Sequence, residues 1–238
     1  MLSSWLKPPA DFLSNMHEHE RQTFMSLTTK LHFEKGDYIF QSGDPGKYVY
    51  ILTQGRAKIT QLSSAGKEMI LWFCLPGEMF GLADLPRGGS REVSAQACSE
   101  AEVLAVKRES LNQFLMNSPN TSSQVIELLS YRMRVLGHVM MNLAADDVTS
   151  RIIKLILRLG ARYPDCDSET QLDYPMTHQE MADMIGTSRQ TVTSVLGQLR
   201  KKGVLSMDHH CIRIENQIEL ERLLNHAGND SRWDSELH

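Results

Sequence analysis

Cysteine is scarce and scattered in this chain: four residues in 238, Cys74, Cys98, Cys166 and Cys211, with no Cys-x-x-Cys pair. That excludes a disulfide framework and a zinc ribbon, which need paired cysteines at short spacing. Long apolar runs are missing too. No stretch approaches the roughly 18 apolar residues of a membrane span. The start, Met1-Leu2-Ser3-Ser4-Trp5-Leu6-Lys7-Pro8-Pro9, has no signal-peptide pattern. We expect a cytoplasmic protein with no membrane partner. No P-loop, Gly-x-Ser-x-Gly, paired-carboxylate motif or metal triad occurs, so neither an enzyme nor a cofactor is expected. Excess positive charge is also lacking, the net charge being -4. This excludes little, because a local basic patch suffices for phosphate contacts when one of two domains touches nucleic acid.

What is present is ordinary globular material, 41% hydrophobic and 23% charged, enough for one large domain or two smaller ones. Residues 11–31 read as a helical lead-in with Phe12, Leu13, Met16, Phe24, Leu27 and Leu31 on its apolar face. From Leu31 to about Val106, glycine turns punctuate short apolar runs: Tyr38-Ile39-Phe40, Tyr48-Val49-Tyr50-Ile51-Leu52, Ala57-Lys58-Ile59-Thr60 and Met69-Ile70-Leu71-Trp72-Phe73. Turns at that rhythm predict an antiparallel β-sandwich or barrel. After Pro119 the texture turns helical to Ala145. Ile126, Leu129, Met133, Leu136, Met140 and Leu143 follow one another in steps of three and four, a heptad seam that predicts a dimer interface. Asp147 or Thr149 is suited to cap the next helix, which carries Ile152, Ile153, Leu155, Ile156 and Leu159. Residues 163–173 read as a polar loop and the tail after Leu224 as frayed.

Residues 176–214 carry the sharpest signal. Thr177 and Glu180 form a capping box that opens a helix. Met181, Ala182 and Ile185 are its buried positions, and Gly186 ends it. Ser188 caps a second helix with Val192, Val195, Leu196 and Leu199 inward. Two short helices about a glycine turn make a helix-turn-helix. Ser188, Arg189, Gln190, Thr193 and Ser194 then sit where a recognition helix meets base edges in double-stranded DNA. Arginine suits guanine and glutamine suits adenine. Arg200, Lys201 and Lys202 suit phosphates. Residues 204–207 and 211–214 predict a β-hairpin wing. His17-Glu18-His19-Glu20 and His209-His210-Cys211 read as surface rather than metal sites, lacking a two-histidine helical turn and a fourth ligand respectively.

Three segments point to a family. Gly186-Thr187-Ser188-Arg189-Gln190-Thr191-Val192 resembles the recognition-helix signature of the CRP/FNR regulators. Residues 142–152 resemble the family's hinge and following helix, and Gly77-Glu78-Met79-Phe80-Gly81 resembles the entry to its phosphate-binding cassette. The resemblance covers roughly residues 20–224. It implies an α+β protein: an N-terminal antiparallel β-roll of jelly-roll type over 1–118, a dimerisation helix over 119–145, a C-terminal winged helix-turn-helix over 146–225, and a tail. It further implies a homodimer on a near-palindromic site, RNA polymerase as a partner, and an activating loop near 162–172.

The resemblance also defines an effector pocket. Cyclic-AMP-binding members hold the ribose with a Gly-Glu pair, the phosphate with an Arg-Ser pair, and adenine with a Thr-Ser pair on the long helix. Here Gly81 precedes Leu82, Arg91 precedes Glu92, and the adenine positions become Leu136 and Gly137. Glu92 sets a carboxylate where a phosphate belongs. We therefore expect that cyclic AMP is not the effector. Arg87 and Arg91, beside several glycines, are left as candidates for another anion. Iron–sulfur ligation is excluded by the lack of cysteine before Cys74. His138 and Cys74, the conceivable haem ligands, read as structural.

Overall fold

Residues 11–162, 171–172, 176–208 and 211–227 are described by the structure, a computed structural model. They divide into two compact units at Ser130 and Tyr131.

The N-terminal unit is two four-stranded antiparallel sheets and three helices. One sheet orders β1 (Thr28–Phe33), β8 (Ala101–Lys107), β3 (Tyr48–Gln54) and β6 (Met79–Phe80) side by side. The other orders β2 (Tyr38–Phe40), β7 (Ser94–Ala97), β4 (Ala57–Leu62) and β5 (Glu68–Cys74). Alternation along each strand assigns its side chains to two cores. Tyr50 and Leu52 of β3, with Val103 and Ala105 of β8, join Phe40, Ile59, Phe80, Ala95 and Ala97 between the sheets. Their neighbours Val49, Ile51, Leu104 and Val106 face the opposite way, against Phe24, Leu111, Phe114, Val125 and Leu128. Those residues come from α1 (Glu18–Ser26), α2 (Arg108–Asn117) and the start of α3 (Pro119–Ala145). Buried on both faces, β8 reads as a nearly unbroken buried run.

The lead-in helix is shorter than its pattern implied. Residues 11–16 form turns, α1 ends at Ser26, and Leu31 lies in β1. Phe12, Met16 and Phe24 are buried while Leu27 and Leu31 are each 37% exposed. An edge strand with one face in solvent needs few apolar residues, and Thr-Thr-Lys-Leu-His-Phe suits that better than a helix. On β8, Glu102 accepts hydrogen bonds from Lys30 Nζ at 2.9 Å and Thr53 Oγ1 at 2.8 Å. These two bonds hold its carboxyl below the usual range.

In the C-terminal unit, Asp147 caps α4 (Val148–Arg162), accepting from Ser150 N at 2.8 Å and Ser150 Oγ at 2.9 Å. Of the two expected caps, Asp147 serves, and Thr149 lies inside the helix. Ile152, Ile153, Leu155, Ile156 and Leu159 are buried. The helix packs against α5 (His178–Ile185), α6 (Arg189–Lys201) and α7 (Gln217–Ala227). Strands β10 (Leu205–Asp208) and β11 (Cys211–Ile214) pair antiparallel, Leu205 opposite Ile214. A third strand, β9 (Gln171–Leu172), pairs with β11, so these two residues belong to a sheet rather than to the polar loop expected over 163–173. Residues 163–170, the bulk of the implied activating loop, and His209-His210 lie outside the described residues. Among the described residues no helix is long and apolar enough to cross a membrane, and no cluster of metal-ligating side chains occurs.

Candidate functional site

The helix-turn-helix is built by its caps. Thr177 Oγ1 accepts from Glu180 N at 3.1 Å, and Glu180 Oε2 accepts from Thr177 N at 2.8 Å. The first four amides of a helix lack intrahelical partners, so this reciprocal pair sets where α5 begins. Gly186 ends it at φ +70°, ψ +39°. Two residues on, Ser188 Oγ accepts from Thr191 N at 3.1 Å and starts α6. Met181, Ala182, Met184 and Ile185 of α5 meet Val192, Val195, Leu196 and Leu199 of α6 in the interior. A β-carbon at Gly186 would hold the left-handed turn at a steric cost of about 1 kcal/mol or slightly more. Gly186→Ala is accordingly expected to lower the thermal midpoint of the C-terminal unit. An unchanged midpoint would contradict the turn.

With one face of α6 buried, the other is defined. Ser188, Arg189, Gln190 and Thr193 are exposed and Ser194 is half-buried. Arg200, Lys201 and Lys202 are exposed as well, but at the opposite end. Eleven residues at the helical rise separate Arg200 from Arg189 by about 16 Å along the axis. The structure groups the five N-terminal residues and leaves the three basic ones apart, where they also complement the helix dipole. One neighbour escaped the sequence reading: His178, whose Nδ1 lies 2.8 Å from Thr193 Oγ1.

In the cassette of the N-terminal unit, Arg91 is held by the protein's own groups. Arg91 is 2% exposed at the side chain, and Nη1 donates to Asp84 Oδ2 at 2.6 Å and to the Gly81 carbonyl at 2.9 Å. Nη2 donates to the Tyr48 carbonyl. The guanidinium carbon stands 4.2 Å from the centre of the Phe40 ring, which stacks with Tyr50 and Phe80. Burial pushes the Tyr50 phenol up, against the opposing pull of Arg91. Gly46 makes room for the carboxylate: a β-carbon there would come within 2.7 Å of Asp84 Cβ. The backbone ties the segment further, Arg91 N donating to Asp44 O and Gly46 N to Gly89 O, each at 2.8 Å.

The carboxylate facing Arg91 is thus Asp84, not Glu92, which is exposed, as is Arg87. Leu82 is buried in the helix-side core. Leu136 is 37% exposed on the α3 seam, and a β-carbon at Gly137 would meet nothing within 4 Å. Both belong to the C-terminal unit. Asp84 was readable as a carboxylate seven residues before Arg91, but only burial reveals which acid the arginine meets. A small cleft of about 20 Å³ lies elsewhere in the N-terminal unit, lined by Phe12, Gly77, Glu78, Gln124 and Leu128 among others. It has room for about one water.

On α3, all six seam residues are exposed, from 37% at Leu136 to 72% at Met133. His138 is exposed and Cys74 buried.

Comparison with known proteins agrees with this geometry. The family model described as cyclic nucleotide-binding domain matches residues 30–118, and that described as Crp-like helix-turn-helix domain matches residues 150–223. The global nitrogen regulator of Nostoc sp. is 31% identical over 193 residues, covering 80% of this chain and 86% of its own. The CRP-like cAMP-activated global transcriptional regulator of Mycobacterium tuberculosis is 27% identical over 207 residues, 85% of this chain and 92% of its own. Among solved structures, FixK2 from Bradyrhizobium japonicum matches with a TM-score of 0.73 at 25% identity, covering 82% of this chain and 96% of that one. A β-roll with a winged helix-turn-helix defines a DNA-binding transcription regulator. The chain belongs to the CRP/FNR family of such regulators.

Proposed function

We propose that the chain works as a homodimer that reads a near-palindromic operator through α6, and that cyclic AMP is not its effector. The observation that carries the DNA-reading part is the first turn of α6: capped by Ser188, buried on one side, and exposing Arg189 and Gln190 on the other. Two such helices related by a two-fold axis match half-sites one helical turn apart. Arg189 pairs with a guanine, and Gln190 and Ser194 contribute neighbouring base contacts. Arg200, Lys201 and Lys202 neutralise phosphates at the other end of the helix. The function is regulatory rather than catalytic and is exercised in the cytoplasm, with RNA polymerase as the downstream partner.

Arg189→Ala is expected to weaken operator binding by roughly 1–3 kcal/mol and to relax preference at one base pair per half-site. Competition binding against operators changed at single positions reads this directly. Equal losses on operator and random DNA would remove Arg189 from base reading.

The effector part rests on Arg91. The Arg91 guanidinium is already neutralised by Asp84 and spends three of its five N–H donors on Asp84 and two carbonyls, so a phosphate taking its charge must displace a buried ion pair, although Nε has no partner. A second reading, gating by cyclic AMP, is favoured by the M. tuberculosis relative, whose name describes it as cAMP-activated. Calorimetric titration separates the two: the first expects no heat of binding with cyclic AMP, the second saturation in the micromolar range.

A further inference from the structure

We infer that Thr193 reads a thymine through its γ-methyl group and that His178, on the preceding helix, is the positioning residue that holds it in that orientation; the inference rests on α6 being the DNA-reading helix. Thr193 is exposed, one turn beyond Arg189. Its Oγ1 lies 2.9 Å from the Arg189 carbonyl oxygen and 2.8 Å from His178 Nδ1. A hydroxyl has one proton and two lone pairs. A carbonyl only accepts, so the proton goes to Arg189. We take the contact with His178 as Nδ1–H donating to a lone pair of Oγ1, the arrangement in which both contacts are hydrogen bonds at once.

Two consequences follow for recognition. Thr193 has no proton left to donate to O6 or N7 of guanine, N7 of adenine or O4 of thymine. Beyond one lone pair, what it offers the groove is a methyl group, whose natural partner is the C5 methyl of thymine. Threonine in a helix divides between two side-chain rotamers. Rotation about the Cα–Cβ bond would exchange hydroxyl and methyl and return a donor to the groove. The bond from His178, itself placed by the capping box at the start of α5, opposes that rotation.

The test uses the full chain and an operator selected from random DNA. Each thymine of a half-site is replaced in turn by deoxyuridine, which removes only the C5 methyl. The wild-type protein is expected to prefer thymine about fourfold at one position per half-site, what burial of one methyl group contributes. Thr193→Val retains that ratio and Thr193→Ser brings it to one. His178→Ala also brings it towards one, and His178→Gln, whose amide can donate to Oγ1, restores it. Each ratio compares two DNAs with one protein preparation, so partial unfolding changes both affinities alike. A ratio of one at every thymine for the wild type, or a wild-type ratio in His178→Ala, overturns the inference alone. If no sequence is enriched at all, the DNA-reading role of α6 falls and the inference with it.

Discussion

Replacing Met133 and Met140 together by glutamate should leave the chain monomeric at micromolar concentration and lower operator affinity by roughly 10²–10⁴-fold. Both side chains are largely exposed, 72% and 67%, on a seam whose other members are Ile126, Leu129, Leu136 and Leu143. Isolated apolar residues on a surface are common; six in register along one helix are not. Burying six such side chains contributes about 1.5–3 kcal/mol each, against an association cost of about 4–15 kcal/mol. Removing two and adding two carboxylates per chain reverses that balance. Each helix-turn-helix then binds its half-site alone. Sedimentation equilibrium reads the mass and fluorescence anisotropy the affinity. A variant that stays dimeric would move the interface elsewhere.

Asp84→Ala should destabilise the N-terminal unit by roughly 3–5 kcal/mol, because it strands a buried guanidinium. Arg91 keeps two carbonyl acceptors and the Phe40 ring, but none of these carries a formal charge. Removing both partners is a different change. Arg91→Met with Asp84→Ala should recover much of the loss, since apolar replacement of a buried pair is often near neutral. Urea unfolding of the full chain distinguishes them. If Asp84→Ala lies within about 1 kcal/mol of the wild type, Arg91 has another way to satisfy its charge, and the argument for a filled cassette fails.

The helix-turn-helix was legible to the residue because its signals are local. Thr177, Glu180, Gly186 and Ser188 act on their own backbone, so chemistry and spacing suffice. The strands announced by flanking glycines and aromatic runs, β2 to β5, were legible too. Strand β7 was not: Ser-Ala-Gln-Ala has weak strand preference and is held by pairing with β2 and β4. Strand β1 was lost in a loose helical pattern, and α2 in the expected β-roll. In the cassette, sequence located Arg91 but not the acid that meets it. Asp84 and Gly81, Tyr48, and Phe40 reach Arg91 from three segments, and no local rule joins them. The same holds for His178 and Thr193, brought together only when α5 packs on α6.

Operator reading without cyclic AMP is tested most directly by selecting operators from random DNA with this chain and no nucleotide, and repeating the selection with cyclic AMP at saturating concentration. A regulator that does not respond to cyclic AMP selects the same pair of inverted half-sites in both cases, bound with affinities that agree within about twofold, well inside the tenfold that 1.4 kcal/mol represents. Enrichment only when cyclic AMP is present would contradict that reading: the Asp84–Arg91 pair would then yield to a phosphate, and the protein would be gated by cyclic AMP.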